Sequence, residues 1–168
     1  MTAAALHIAP LGAADRAAWE PLARGYKAFY ETEVDDAGYA AAWQRLMAGA
    51  PMLALGAWLP EGGAGGAGGQ GGVPDAAPRL VGIAHALFHS SVWSPGNCYL
   101  QDLFVAPDAR GHGVAGALIH RLAELAHAQG ADRLHWLTHH TNARARALYD
   151  RVAVHRGFIR YDHPMPPG

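Results

Sequence analysis

The sequence predicts an α/β (α+β) fold, a mixed central β-sheet flanked by helices in the order β-α-α-β-β-β-α-β-α-β. Three observations carry that prediction. Apolar runs of strand length, Met52 to Trp58, Leu80 to His89 and Cys98 to Val105, are bounded by Gly and Pro. Spacing at three and four residues puts Trp19, Leu22, Tyr26 and Phe29 on one helical stripe and Leu118, Leu122 and Leu125 on another. Between residues 98 and 138 a strand, a glycine turn, a helix and a further strand follow one another, a crossover that lays its two strands parallel and adjacent.

Taken in order, the first strand is expected at Ala4 to Ile8. Pro21 belongs in the first turn of the helix that follows, where a missing N–H is harmless. Tyr39, Trp43, Leu46 and Met47 carry a second helix, capped by Asp35 or Asp36 and ended by Pro51. The runs 52–58 and 80–89 then form a strand pair. Their connection, EGGAGGAGGQGGVPDAAPR, offers almost no side-chain surface to offset the entropy of ordering it. A flexible Gly-rich hairpin loop over 61–78, inside a single domain spanning 1–168, is the expectation. The helix after the glycine turn runs to about Gln129 and stops at Gly130. Arg133 to Thr138 is a strand, Asn142 caps a helix to about Val154, and Gly157 to Tyr161 forms the closing strand.

Composition narrows the function classes. With 168 residues, 51% of them hydrophobic, the chain buries one sizeable core. A formal net charge of -1 supplies no bulk attraction to nucleic acid or to an anionic membrane, so neither partner is expected and any anion needs a local site. Cys98 is the one cysteine, which excludes an intramolecular disulfide and Cys-cluster zinc sites; it reads as an inert buried thiol. The start MTAAALHIAP lacks a basic flank and a long apolar run, so a cytoplasmic location is expected. Eleven histidines invite a metal reading, but the pairs His85 and His89, His120 and His127, and His139-His140 have no Cys or carboxylate at a spacing that closes a site, and no metal is expected.

The informative stretch is Arg110-Gly111-His112-Gly113-Val114-Ala115-Gly116. Glycines admit a close backbone approach, and a helix opening behind them aims free N–H groups and a positive dipole end outward, which makes an anion site. The Gly-x-Gly-x-x-Gly spacing suggests a dinucleotide, yet that reading needs an acid at the end of the next strand, which here ends Thr138-His139-His140. Counted from the arginine, the pattern is Arg-x-x-Gly-x-Ala, and the N–H groups of residues 111–115 would wrap a diphosphate, with Arg110 adding charge or bracing the loop.

At this point the chain resembles the GNAT N-acetyltransferase superfamily, through YLQDLFVAPDARGHGVAGALI, LHWLTHHTNARARALYDRVA and GFIRYDH, and most closely the subgroup with histone and polyamine acetyltransferases. The resemblance implies acetyl-CoA as donor and a primary amine as acceptor. It implies that the backbone of Leu103, Phe104 and Val105 pairs with the pantetheine arm as an added strand, that Arg110, Gly111, His112, Gly113, Val114 and Ala115 hold the pyrophosphate, and that Asn142 and Tyr149 bind the same cofactor. Direct acyl transfer asks for a neutral amine, an oxyanion donor and a proton for the departing thiolate. A backbone N–H near the end of the strand 99–105 is the expected oxyanion donor and the Tyr149 hydroxyl the expected general acid. Asp102 is expected to orient or deprotonate the amine, while Glu31 and Glu33 line the acceptor site and attract a cation. Many relatives have an acid beside this Asp; here the neighbour is Gln101, a neutral side chain that cannot take up a proton.

The resulting expectation is an acetyl-CoA-dependent N-acetyltransferase for a small amine, amino acid or polyamine, in a chain that could form a homodimer. Two rivals accompany it: acetylation of a protein lysine, as on a histone-like tail, and CoA sensing without catalysis.

Overall fold

The computed structural model describes residues 6–60 and 77–166. Most of the expected hairpin loop, residues 61–76, therefore lies outside the described residues, as do Ala4 and Ala5 of the expected first strand. The strands are β1 (His7–Pro10), β2 (Met52–Leu59), β3 (Arg79–His89), β4 (Asn97–Val105) and β5 (Arg133–His135); the helices are α1 (Arg16–Phe29), α2 (Asp36–Met47), α3 (Val114–Ala128) and α4 (Ala143–Val152). Two compact units result, Met1–Leu137 and Thr138–Gly168. The sheet, α1, α2 and α3 make up the first; α4 and the segment after it make up the second.

The five strands stand in chain order, β1-β2-β3-β4-β5, antiparallel from β1 to β4 and parallel between β4 and β5. The sheet is thus mixed, as the crossover demands. Its buried centre reads as near-continuous apolar sequence in β2 and β3, because helices cover both faces there. On one face Trp19 of α1, 1% exposed, packs against Trp43 and Tyr39 of α2 with ring centroids 4.9 Å and 6.5 Å away. On the other, Val114, Leu118 and Leu122 of α3 are fully buried.

One irregularity decides what faces what. Along β3 and β4 the pairs run Gly82↔Val105, Ile83↔Phe104, Ala84↔Leu103 and His85↔Asp102, and then Ala86 meets Leu100. Gln101 is left over as a β-bulge. Two-residue alternation is broken there, so Asn97, Tyr99, Asp102 and Phe104 share the α1 face while Cys98, Leu100, Leu103 and Val105 share the α3 face.

Four sequence expectations need correction. Pro21 does not lie in the first turn, because α1 already starts at Arg16; its ring removes the donor to Ala17 in the second turn, and both residues are exposed, so the stranded carbonyl faces solvent. The strand expected to Thr138 stops at His135, since only Asn97, Cys98 and Tyr99 of β4 pair with it. The helix expected to Val154 ends at Val152. The closing strand at Gly157 to Tyr161 is not formed: a strand needs a neighbour for its N–H and C=O groups, none pairs with it among the described residues, and Phe158, Ile159 and Tyr161 are 82%, 73% and 86% exposed.

Candidate active site

The turn between β4 and α3 has the shape its glycines require. Gly111 and Gly113 sit at φ +87° and +78°, in the left-handed region, and Gly113 is the N-cap of α3. Among the described residues no side chain caps α3, so its first-turn N–H groups keep the orphan character of a helix start. A methyl group built on either glycine would meet nothing within 4 Å among the described residues. Open ground in front of uncapped N–H groups is what an approaching anion needs. Arg110 braces this turn: its Nε donates to the Val105 carbonyl at 3.0 Å and its guanidinium lies 5.5 Å from the centre of the Phe104 ring. His112 sits on the turn with Nδ1 3.3 Å from the Ala109 carbonyl, and Val114 is buried beneath it while Ala115 is half-buried.

Beside the turn runs an unpaired strand edge. The β4–β5 ladder covers Asn97 to Tyr99 only, so from Leu100 to Val105 the outer edge of β4 has no strand partner among the described residues. Backbone groups alternate between the two edges of a strand, and the Ala106 N–H bonds to the Val81 carbonyl of β3, so Phe104 faces β3 while Leu103 and Val105 turn their N–H and C=O groups to the outer edge, where the Val105 carbonyl takes Arg110 Nε.

At the bulge a polar cluster is buried against α1. His85 Nδ1 is 2.8 Å from Asp102 Oδ2, with 11% and 13% of the two side chains exposed. Trp19 Nε1 donates to His85 Nε2 at 2.9 Å. The Tyr26 hydroxyl reaches the Asp102 carboxylate and also donates, at 3.4 Å, to the Gln101 carbonyl. Burial pushes the Asp102 pKa up, but the hydrogen bond from His85, the Tyr26 hydroxyl and the charge of Lys27 outweigh it and hold the carboxyl below its ordinary value. Burial, the Asp102 charge and the hydrogen bond to it push the Tyr26 phenol far above its usual range, so it stays a donor. Between the two roles expected of Asp102, a depressed pKa suits the orienting charge better than the proton acceptor.

The same shift makes a stability prediction. A carboxyl whose folded pKa is depressed stabilises the fold above its unfolded pKa, about 3.9, and loses that contribution as pH falls through the folded value. Asp102→Asn should therefore lower Tm at pH 7 and pH 5, and the gap to the wild type should close below about pH 4. Thermal melts across that range check it; a gap that is flat with pH would refute it.

The acidic segment is divided in its uses. Asp35 caps α2, accepting from the Gly38 N–H at 2.7 Å, and Asp36 pairs with Arg24 at 2.5 Å. Glu31 and Glu33 are exposed. Next to them the rings of Tyr26 and Tyr30 lie 5.1 Å apart, which carries the α1 terminus up to the Asp102 cluster. Glu31 occupies the residue after the α1 C-cap with φ +51°, its N–H bonded to the Ala28 carbonyl and that of Thr32 to the Lys27 carbonyl, a Schellman ending. Glycine normally takes that place, and the negative end of the helix dipole disfavours a carboxylate there. Glu31→Gly is expected to raise stability by about 1 kcal/mol, read by chemical denaturation. A loss of stability would contradict this account of the helix end.

Residues 73–153 match the sequence profile of the Acetyltransferase (GNAT) family. This segment belongs to the GNAT acetyltransferases. The chain is 36% identical over 77 residues to the Bos taurus thialysine N-epsilon-acetyltransferase, covering 46% of this chain and 45% of that one. It is 35% identical over 82 residues to the Saccharomyces cerevisiae D-amino-acid N-acetyltransferase HPA3, covering 48% and 51%. The match spans about half the length of these relatives. Among solved structures, an aminoglycoside acetyltransferase, AAC(6')-Iy, bound to a bisubstrate analog superposes with a TM-score of 0.76 at 16% identity, over 96% of this chain and 99% of that one. A ribosomal-protein-alanine N-acetyltransferase from Brucella melitensis gives 0.72 at 21% identity, over 96% and 100%. The fold is the GNAT fold.

The later part of the GNAT segment holds Asn142 and Tyr149 in the second unit. Asn142 caps α4, its Oδ1 accepting from the Ala145 N–H at 3.3 Å and its Nδ2 donating to Thr138 Oγ1 at 3.3 Å. Tyr149 is half-buried on α4, two turns further on. Cys98 is fully buried, and burial pushes its thiol up to about 11, so it is inert as expected. Sequence reasoning missed His85, Trp19 and Tyr26. His85 stood among the unexplained histidines, and only cross-strand register, 17 residues away in sequence, gives it Asp102 as partner.

Proposed function

We propose that the chain is an acetyl-CoA-dependent N-acetyltransferase that acetylates a primary amine of a small molecule, such as an amine, amino acid or polyamine. One observation carries the reading: two left-handed glycines open α3 directly beside the outer edge of β4, and among the described residues no side chain caps that helix and no strand pairs with that edge from Leu100 to Val105. The GNAT match over residues 73–153 supports it, as do relatives named for small primary amines, thialysine and D-amino acids.

Acetyl-CoA, when bound, supplies the activated acetyl group. Residues 110–115 hold its diphosphate through backbone N–H groups, with Arg110 as brace, and the outward backbone groups of Leu103 and Val105 take the pantetheine arm. Asp102, ionised and fixed at the bulge, draws and orients the acceptor, which attacks as the neutral amine once its ammonium proton has passed to solvent water, and Glu31 and Glu33 add negative potential at the α1 terminus. A backbone N–H near the end of β4 serves as the oxyanion donor. Tyr149 gives the proton to the leaving thiolate, and Asn142 orders the start of its helix.

Thiol release from acetyl-CoA, measured with thialysine, D-amino acids, polyamines and a basic peptide, tests the proposal. Turnover confined to the small amines supports it. Turnover with the peptide alone makes the chain a protein lysine acetyltransferase, and CoA binding with no transfer makes it a sensor. Tyr149→Phe is expected to lower kcat by about 100-fold or more with little change in CoA affinity; unchanged kcat removes Tyr149 from the chemistry.

A further inference from the structure

Trp19 and His85 touch neither the glycine turn nor its neighbouring edge, yet both are buried, polar and in line with Asp102. An indole N–H only donates, so His85 Nε2, 2.9 Å from Trp19 Nε1, must present its lone pair. The ring proton of the neutral imidazole then sits on Nδ1, which points at Asp102 Oδ2 2.8 Å away. Trp19 is itself pinned, 1% exposed and packed between Trp43, Tyr39 and the His85 ring. The bulge at Gln101 is what brings Asp102 onto this face, opposite His85.

We propose that Trp19 and His85 are positioning residues for acetyl transfer: the indole fixes the His85 tautomer, and that tautomer's Nδ1–H holds one oxygen of Asp102 so that the carboxylate meets the acceptor as an oriented charge. This rests on the acetyltransferase reading above. The arrangement also assigns a role by exclusion. With Nε2 engaged by Trp19 and the proton of Nδ1 given to Asp102, His85 has no lone pair directed at a substrate and does not act as the base. The groups that face Asp102 are His85 from β3 and Tyr26 and Lys27 from α1, and each of them favours its ionised form.

Two measurements on the whole chain need no activity. Nitrogen-15 NMR of the histidine rings, with His85 identified by its loss in His85→Asn, should show protonation at Nδ1 in the wild type and a mixture of tautomers in Trp19→Phe. Carbon-13 titration of the Asp102 carboxyl should move upward in His85→Leu, which removes the donor, and return toward the wild-type value in His85→Asn, whose amide N–H can replace Nδ1–H. In thiol-release assays with thialysine, His85→Leu is expected to lose up to about 100-fold in kcat/KM, and His85→Asn to recover at least tenfold of that loss. A merely structural role would lower both variants together with their Tm and leave the carboxyl titration where it was. Protonation of wild-type His85 at Nε2, or an Asp102 titration equal in His85→Leu and wild type, overturns the proposal. A wild type that releases no thiol with any amine instead defeats the acetyltransferase reading, and with it the positioning role, while the NMR outcomes still decide whether the tautomer lock exists.

Discussion

Gly113→Val is expected to weaken CoA binding by at least about 100-fold, close to 2.7 kcal/mol. Three effects add. The residue holds φ +78°, where a β-branched side chain is forced out by its own backbone at roughly 1–2 kcal/mol. Relaxing that strain re-aims the first N–H groups of α3, which among the described residues have no capping side chain to keep them in place. The new side chain would also enter the open ground before the helix, where a diphosphate has to come within hydrogen-bond distance. Gly113→Asn separates these causes, since Asn adopts the left-handed conformation at less cost but still obstructs the approach. Calorimetry with CoA is the measurement, and thermal melts of the same variants report the strain. Near wild-type CoA affinity in Gly113→Val would remove the glycine turn from the binding site.

The second large effect is on stability. Trp19→Ala is expected to cost about 3–5 kcal/mol from the cavity alone, because the ring is 1% exposed and fills the junction of α1, α2 and β3. It also leaves His85 Nε2 buried without its donor, adding roughly 1–3 kcal/mol. Against a typical stability of about 5–15 kcal/mol this is a large fraction. A fall in Tm on the order of 10–20 °C follows for a chain of this size. Trp19→Phe should keep most of the packing and lose mainly the hydrogen bond, so the two variants divide volume from polarity. A Trp19→Ala loss below about 2 kcal/mol would mean that the surrounding rings collapse into the space.

How far the sequence discloses this site depends on how local its parts are. The glycine turn was legible because its requirements lie within one stretch: Gly111 and Gly113 supply the left-handed backbone, and Val114 and Leu118 start the apolar stripe of α3. The same holds for Asp35 and Asn142, which cap helices through bonds only three residues long. The cluster around Asp102 was not legible, because its members come together across sequence separations of 17 and 66 residues. GFIRY looked like a strand by composition, but ladder formation is decided by a partner and not by propensity. Pro21 misled for a related reason: nothing inside α1 states where the helix begins, and the 3-10 turn Ala13–Asp15 carries its start back to Arg16.

Gln101 has a further consequence for how this protein can vary. Its side chain is exposed, and what it contributes to β4 is length. With one residue fewer, odd and even positions of the strand would exchange sides, carrying the acid to the α3 face and an apolar neighbour toward Tyr26. The chain can therefore afford almost any letter at this position but no gap, and a relative aligned one residue out of step here would conserve every side chain of the strand while misplacing its charge.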